Sequence, residues 1–265
     1  MTPPLPHRVE GRGAPLVLLN GGLMTMASWD GIARSLADSF TVIRFDFRGQ
    51  LCAPGPPPAD LEGHAEDLAE LLEHLHIPKA HLIGTSFGGE VGLRFAATRP
   101  ERTSSLVVAT VTDFATPEFQ AGIRRLRAAC DAVAMGDDPY RLWDDMMPSF
   151  YSPAWLQRNA TELALRREPF AALPPRFFQD LAALLSSIQH LDLRPLLSRI
   201  ACPTLFIAAG ADRVMVPDRH DELAAAVPGA RLARVDGAGH ALVAEDPATF
   251  SDLCRAFLKA LPVPS

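Results

Sequence analysis

Apolar positions fall into two alternating spacings over the first 112 residues. Leu16-Val17-Leu18-Leu19, residues 41–45, His81-Leu82-Ile83 and residues 105–109 are short, nearly unbroken apolar runs. Such runs fit parallel strands buried on both faces. Between them, residues 27–38 place Trp29, Ile32, Ala33 and Leu36 on one side, and residues 61–75 gather Leu61, Ala65, Leu68, Leu71, Leu72 and Leu75 on one face. Both spacings predict amphipathic helices. Val91 and Phe95, four apart beside small Gly92 and Ala96, predict a third helix, which Pro100 ends. Alternation of strand and helix predicts an α/β fold built on a doubly wound, mostly parallel sheet. Upstream, residues 1–15 are rich in Pro and Gly and offer only His7-Arg8-Val9-Glu10 as a short edge strand.

From Asp113 to His190 the strand signal disappears, and four or so helices are expected, punctuated by Pro117, Pro139, Pro148, Pro153, Pro169 and Pro174-Pro175. This predicts a helical cap over residues 113–190, inserted between a first core segment (1–112) and a second (191–265). The insert holds ten of the chain's nineteen aromatics, enough to line a pocket as well as fill a core. Trp143, Met146, Met147, Phe150, Tyr151 and Trp155, with Leu23 from the core, are the candidate lining of an apolar substrate pocket. The alternative for each cap residue is the cap's own packing. Strand spacing resumes at residues 203–208 and 231–235, with helices over 217–227 and 247–261.

Composition narrows the function. A net charge of −6 with 48% apolar residues gives no basic footprint for nucleic acid. The most basic run, Arg124-Arg125-Leu126-Arg127, reads as a solvated helix face. Cys52, Cys130, Cys202 and Cys254 are too dispersed for a zinc site and are expected to be reduced and mostly buried, and no metal is expected. The start of the chain has no apolar signal segment, and no run approaches the length of a membrane span, so a cytoplasmic protein is expected. Nothing in the sequence decides between a monomer and a homo-oligomer.

The chemistry starts at Gly84-x-Ser86-x-Gly88, which follows a predicted strand and opens a predicted helix. That pattern is a nucleophile elbow, a strained turn that pushes a serine hydroxyl out of the sheet. Serine is a weak nucleophile at neutral pH and needs a base within hydrogen-bond reach, and the base needs a third group to fix its tautomer. On this architecture acid and histidine follow the serine in that order, at strand C-terminal ends. Asp212, after 203–208, and His240, in Gly237-Ala-Gly-His240 after 231–235, fit best. Asp113 and Asp236 are the rival acids. His64, His74, His76 and His220 are expected to be solvated imidazoles on polar helix faces. For the oxyanion of a tetrahedral intermediate, the backbone N–H of Phe87 and that of Gly22 are the expected donors, with Leu23 the fallback.

Leu-Leu-Asn20-Gly-Gly, Asp46-Phe-Arg-Gly49, Gly-Thr-Ser86-Phe-Gly-Gly, Arg99-Pro-Glu-Arg102, Pro203-Thr-Leu-Phe-Ile and Gly239-His240 occur in an order that resembles the α/β-hydrolase superfamily over essentially the whole chain. The resemblance implies Ser86, Asp212 and His240 as nucleophile, acid and base, Gly22 and Phe87 as oxyanion donors, and no cofactor. Asn20 stands where many members carry histidine, and its spacing to Trp29 is similar to enol-lactonases and related esterases. Leu51 replaces a common glycine, and the N-terminus is short for the usual first hairpin. The leading expectation is a serine hydrolase acting on a small-molecule carboxylic ester or lactone. A C–C bond hydrolase or a perhydrolase would use the same three residues, and a non-catalytic receptor on the same scaffold is the rival from another class.

Overall fold

The apolar runs become the strands of one sheet. The computed structural model describes residues 5–51, 53 and 55–261. Its strands are β1 (His7–Gly11), β2 (Ala14–Leu19), β3 (Phe40–Phe45), β4 (Ala80–Thr85), β5 (Thr103–Ala109), β6 (Thr204–Ala209) and β7 (Arg231–Val235). They lie in the order β1-β3-β2-β4-β5-β6-β7, all parallel except β1, which runs antiparallel along β3. The doubly wound, mostly parallel sheet expected from the sequence is therefore present. The predicted edge strand is β1. It does not form a hairpin with β2, because β3 lies between them. Gly11, at φ 82°, makes the crossover: a Cβ there would sit 2.4 Å from the carbonyl oxygens of Ala37 and Phe40.

Strand β2 shows why its run is continuous. Val17 and Leu19 pack with the apolar stripes of α2 (Leu61–His74) and α3 (Phe87–Thr98), while Leu16 and Leu18 pack with α1 (Asp30–Leu36) and the last helix. Each such side chain, removed from water, contributes about 1.5–3 kcal/mol. The helix expected over 27–38 is split: a 3-10 turn, Met26–Trp29, precedes α1, and Asp46 Oδ1 holds its first N–H, that of Met26, at 2.6 Å.

Between β5 and β6 the chain forms α4 (Pro117–Ala134), α5 (Pro139–Phe150), α6 (Pro153–Arg158), α7 (Ala160–Ala171) and α8 (Pro175–Ser186). Its two stems are clipped together, with Ala115 N–H donating to Leu191 O at 2.8 Å and Leu193 N–H to Asp113 O at 2.7 Å. Pro117, Pro139, Pro153 and Pro175 open helices, where a missing N–H costs nothing. Pro148 and Pro169 do not punctuate as expected; they lie inside α5 and α7. Short α9 (Arg194–Leu197) leads into β6, α10 (Arg219–Ala226) connects β6 to β7, and α11 (Leu242–Glu245) and α12 (Pro247–Lys259) close the chain.

Two of the histidines expected in solvent are fully buried instead. His74 and His76 are exposed, but His64 and His220 have no accessible surface. His64 lies three residues after Leu61 and four before Leu68, on the buried stripe of α2, edge-on to Phe47 and Phe87. Neither of its ring nitrogens has a partner. Burial pushes its pKa down to about 3. The unfolded chain takes up this proton near pH 6.5 and the native state only near pH 3. The contribution is therefore fully present above pH 6.5 and is lost as pH falls towards 3, by about 5 kcal/mol in all. His64→Leu is expected to flatten that acid limb when urea midpoints are compared between pH 7 and pH 4. An unchanged slope would refute this.

Cys130, Cys202 and Cys254 are buried free thiols, and burial raises the pKa of Cys130 to about 12. Cys52 and residues 1–4 lie outside the described residues. Arg124 and Arg125 are exposed on α4. No helix among the described residues is long and apolar enough to cross a membrane.

Candidate active site

Ser86 lies between β4 and α3 at φ 51°, ψ −128°, a backbone conformation that costs about 1–3 kcal/mol. The flanking glycines permit it by close approach. A Cβ on Gly88 would meet Leu19 O at 2.4 Å, and one on Gly84 would meet Gly88 O at 2.6 Å. Ser86 N–H donates to Ala109 O at 2.9 Å, so the turn is fastened to the end of β5.

The parallel register aligns the C-terminal ends of β4 to β7, pairing Thr85 with Ala109, Ala109 with Ile207, and Ala209 with Val235. The residues just beyond those ends therefore converge. Ser86 Oγ is 3.0 Å from His240 Nε2, and His240 Nδ1 is 2.9 Å from Asp212 Oδ2. Asp212 Oδ1 accepts from the N–H groups of Val214 and Met215, at 2.7 and 2.9 Å, which fixes the carboxylate plane. Asp212 and His240 are both buried. With Nδ1–H donated to the carboxylate, Nε2 presents a lone pair to the serine hydroxyl, and the chain can move a proton from Ser86 to His240.

The rival acids are placed elsewhere. Asp113 Oδ1 accepts from Arg219 Nη2 at 2.8 Å, and Asp236 is exposed. His220 is buried close enough to Asp212 to feel its charge, although burial dominates and lowers its pKa.

A cavity of about 720 Å³ opens over Ser86 and His240. Six of the seven pocket residues expected from the sequence line it: Leu23, Trp143, Met146, Met147, Phe150 and Tyr151. Trp155 does not; it stacks on Tyr151 with ring centroids 4.2 Å apart. Leu51 also faces the cavity, and Arg166 is the one lining side chain with a fixed charge among the described residues. That charge pairs with Glu162 and donates to Tyr151 Oη at 3.2 Å. Gly22 lines the cavity too. Phe87 is the first residue of α3, where backbone N–H groups have no intrahelical acceptor.

Sequence reasoning missed three residues around this site. Glu245 ties the His240 loop to the helical insertion, its Oε1 accepting from Gly239 N–H at 3.0 Å and Ser152 N–H at 2.7 Å. Nothing local marks a lone acid five positions past the histidine. Gln50 lies behind the Gly21-Gly22 turn and donates to Gly21 O at 2.8 Å. Glu90, one turn after Ser86, is fully buried with Oε2 unpartnered, and burial raises its pKa to about 8. Its sequence signal was a charge in the otherwise uncharged first turn of α3. Asn20 did carry a signal, its spacing to Trp29. The indole Nε1–H donates to Asn20 Oδ1 at 2.8 Å, which a histidine could not reproduce with the same contacts to Phe45 O and Asp46. Among the described residues no group of three or more His, Cys, Asp or Glu could hold a metal ion.

A mostly parallel seven-stranded sheet carrying this site at its C-terminal edge defines a hydrolase of the α/β class. The chain belongs to the alpha/beta hydrolase fold family, which residues 14–247 match. It is 30% identical over 255 residues to "Putative carbamate hydrolase RutD" of Caulobacter vibrioides, covering 93% of this chain and 91% of that protein. Solved structures similar to it include two. MGS-M2, an alpha/beta hydrolase enzyme from a Medee basin deep-sea metagenome library, has a TM-score of 0.91 at 25% identity over 98% of this chain and 96% of its own. The enol-lactonase from Burkholderia xenovorans LB400 has a TM-score of 0.83 at 26% identity over 96% of each chain. The superfamily resemblance carried by the sequence motifs thus holds.

Proposed function

We propose that this protein hydrolyses carboxylic esters or lactones through an acyl-enzyme on Ser86. The observation that carries the proposal is the continuous Ser86–His240–Asp212 hydrogen-bonded chain at the floor of an apolar cavity. Ser86 Oγ attacks the carbonyl carbon as its proton passes to His240 Nε2, and Asp212 stabilises the imidazolium through Nδ1–H. The oxyanion is received by the N–H groups of Gly22 and Phe87, each such donor supplying about 3 kcal/mol in comparable sites. Collapse breaks the C–O bond to the alcohol, which takes the proton from His240. Water, deprotonated by the same imidazole, then releases the acid. The helical insertion acts as a cap: α5 supplies Trp143, Met146, Met147 and Phe150 as an apolar wall, so the proposed substrate has an apolar acyl or aromatic group.

The name carried by the relatives at about 30% identity favours a second reading, cleavage of a carbamate, which passes through the same tetrahedral chemistry with nitrogen on the carbonyl carbon. A graded panel separates the two. Nitrophenyl esters of increasing acyl length, aromatic lactones and aryl carbamates are assayed with the pre-steady-state phase resolved. The expected result is highest kcat/KM for apolar esters or lactones, with a nitrophenol burst stoichiometric with enzyme when deacylation is slow. Turnover of carbamates alone would reverse the order of the two readings. Carbon–carbon cleavage or peracid formation without ester turnover would replace both.

A further inference from the structure

We propose that Gln50 is a positioning residue that aims the Gly22 N–H at the oxyanion. The inference rests on the serine hydrolase reading above. The carbonyl of Gly21 and the N–H of Gly22 belong to one planar trans peptide unit, so they point in opposite directions. Gln50 Nε2–H donates to that carbonyl at 2.8 Å, from a side chain that does not line the Ser86 cavity, whereas Gly21 and Gly22 do. Met24 N–H donates to the same carbonyl at 3.0 Å, and the two donors together hold the carbonyl back and turn the N–H of Gly22 forward. The bond from Gln50 also polarises the peptide and makes its N–H a better donor. The contact to the next carbonyl, Gly22 O, is longer at 3.4 Å, so the hold falls on the peptide that carries the Gly22 amide rather than on that of Leu23.

The amide of Gln50 can face only one way. Its Oε1 accepts from Phe47 N–H at 3.1 Å and from Asn20 Nδ2 at 3.0 Å. A backbone N–H can only donate, which leaves Nε2 for the carbonyl. The side chain folds back over its own turn, in which Gln50 N–H donates to Phe47 O at 2.9 Å and Gly49 adopts φ 88°. Asn20 is held in turn by Phe45 O, Asp46 Oδ1 and the Trp29 indole, so the brace reaches the buried ends of β2 and β3. A loop built this way arrives at the transition state without reorganising.

Gln50→Glu isolates the effect, because the carboxylate keeps an acceptor for Phe47 and Asn20 but sets a second oxygen against Gly21 O. The readout is the rate at which a fluorophosphonate phosphonylates Ser86, displacing fluoride, since this reaction develops negative oxygen at the same place and needs no knowledge of the substrate. The expected result is a loss of about 10- to 100-fold at pH 8, short of the full cost of deleting a donor. The rate ratio of variant to wild type is expected to climb back as pH falls, because the introduced carboxyl, once protonated, can donate to Gly21 O. With an ester turned over by the wild type, kcat is expected to fall while KM stays within about twofold. A role confined to stability would lower the thermal midpoint without a pH-dependent ratio. Equal labelling of both proteins at every pH, or a loss that does not recover in acid, overturns the inference alone. Failure of the wild type to be labelled at Ser86 overturns the hydrolase reading and this inference with it.

Discussion

Ser86→Ala is expected to lower kcat/KM for the best ester of the panel by about 10⁵-fold or more, the scale of losing the nucleophile from a complete triad. The fold should not change with it. The hydroxyl's one hydrogen bond is to His240, and the backbone at φ 51° is held by Gly84, Gly88 and the bond to Ala109 O, none of which needs the side chain. Thermal midpoints within a few degrees of wild type are therefore expected, together with complete loss of the pre-steady-state burst and of fluorophosphonate labelling. The residual rate should still exceed the background reaction, since the proposed oxyanion donors and the cavity remain. A variant that kept a stoichiometric burst would place the nucleophile elsewhere and remove the proposed mechanism.

Asp212→Asn is expected to cost about 10⁴-fold in kcat with little change in KM, through the tautomer of His240 rather than through lost charge alone. The N–H groups of Val214 and Met215 both donate to Oδ1 of Asp212. They would hold the oxygen of the new amide in that position, and its NH2 would turn towards His240 Nδ1. The imidazole would then accept there and carry its proton on Nε2, facing Ser86 with a donor where a base is needed. Asp113→Asn supplies the control. It weakens the ion pair to Arg219, at the root of the helical insertion, and is expected to leave kcat within about threefold while costing about 1–3 kcal/mol of stability, as for a buried pair that retains a hydrogen bond. Reversal of the two effects would make Asp113 the catalytic acid. Substrate profiles of the two variants at pH 8 and thermal midpoints decide between these outcomes.

The sheet, the elbow and the order of serine, acid and histidine were legible in the chain because each depends on local pattern. A buried parallel strand must be apolar on both faces, and the elbow needs glycine at both flanks for steric reasons visible in three letters of sequence. Groups that act on a ligand of such a sheet stand at strand ends, which places Asp212 and His240 once β6 and β7 are recognised. The pocket residues on α5 were readable as an apolar, aromatic-rich stretch, although only the structure separates Trp155 from its neighbours.

His64 was misjudged from residue type against spacing, since its position on the α2 stripe pointed inward while imidazole chemistry pointed outward. Hydrophobic burial of the stripe as a whole outweighed the desolvation of one neutral ring. Two questions were closed only by tertiary contacts. The order along the chain favours Asp212, but Asp113 also follows a strand, and it is the register of β5 to β7, with Arg219 turned onto Asp113, that brings Asp212 to His240 and leaves Asp113 elsewhere. The brace of Gln50 on the Gly21-Gly22 turn joins groups 29 positions apart, through an amide whose orientation follows from partners on β2, β3 and the turn beyond. The sequence by itself determined which chemistry the chain can carry, because residue types, their order and short-range sterics are written locally. The tertiary structure decided which groups meet, because hydrogen bonds act over about 3 Å and only the packed sheet brings distant residues that close.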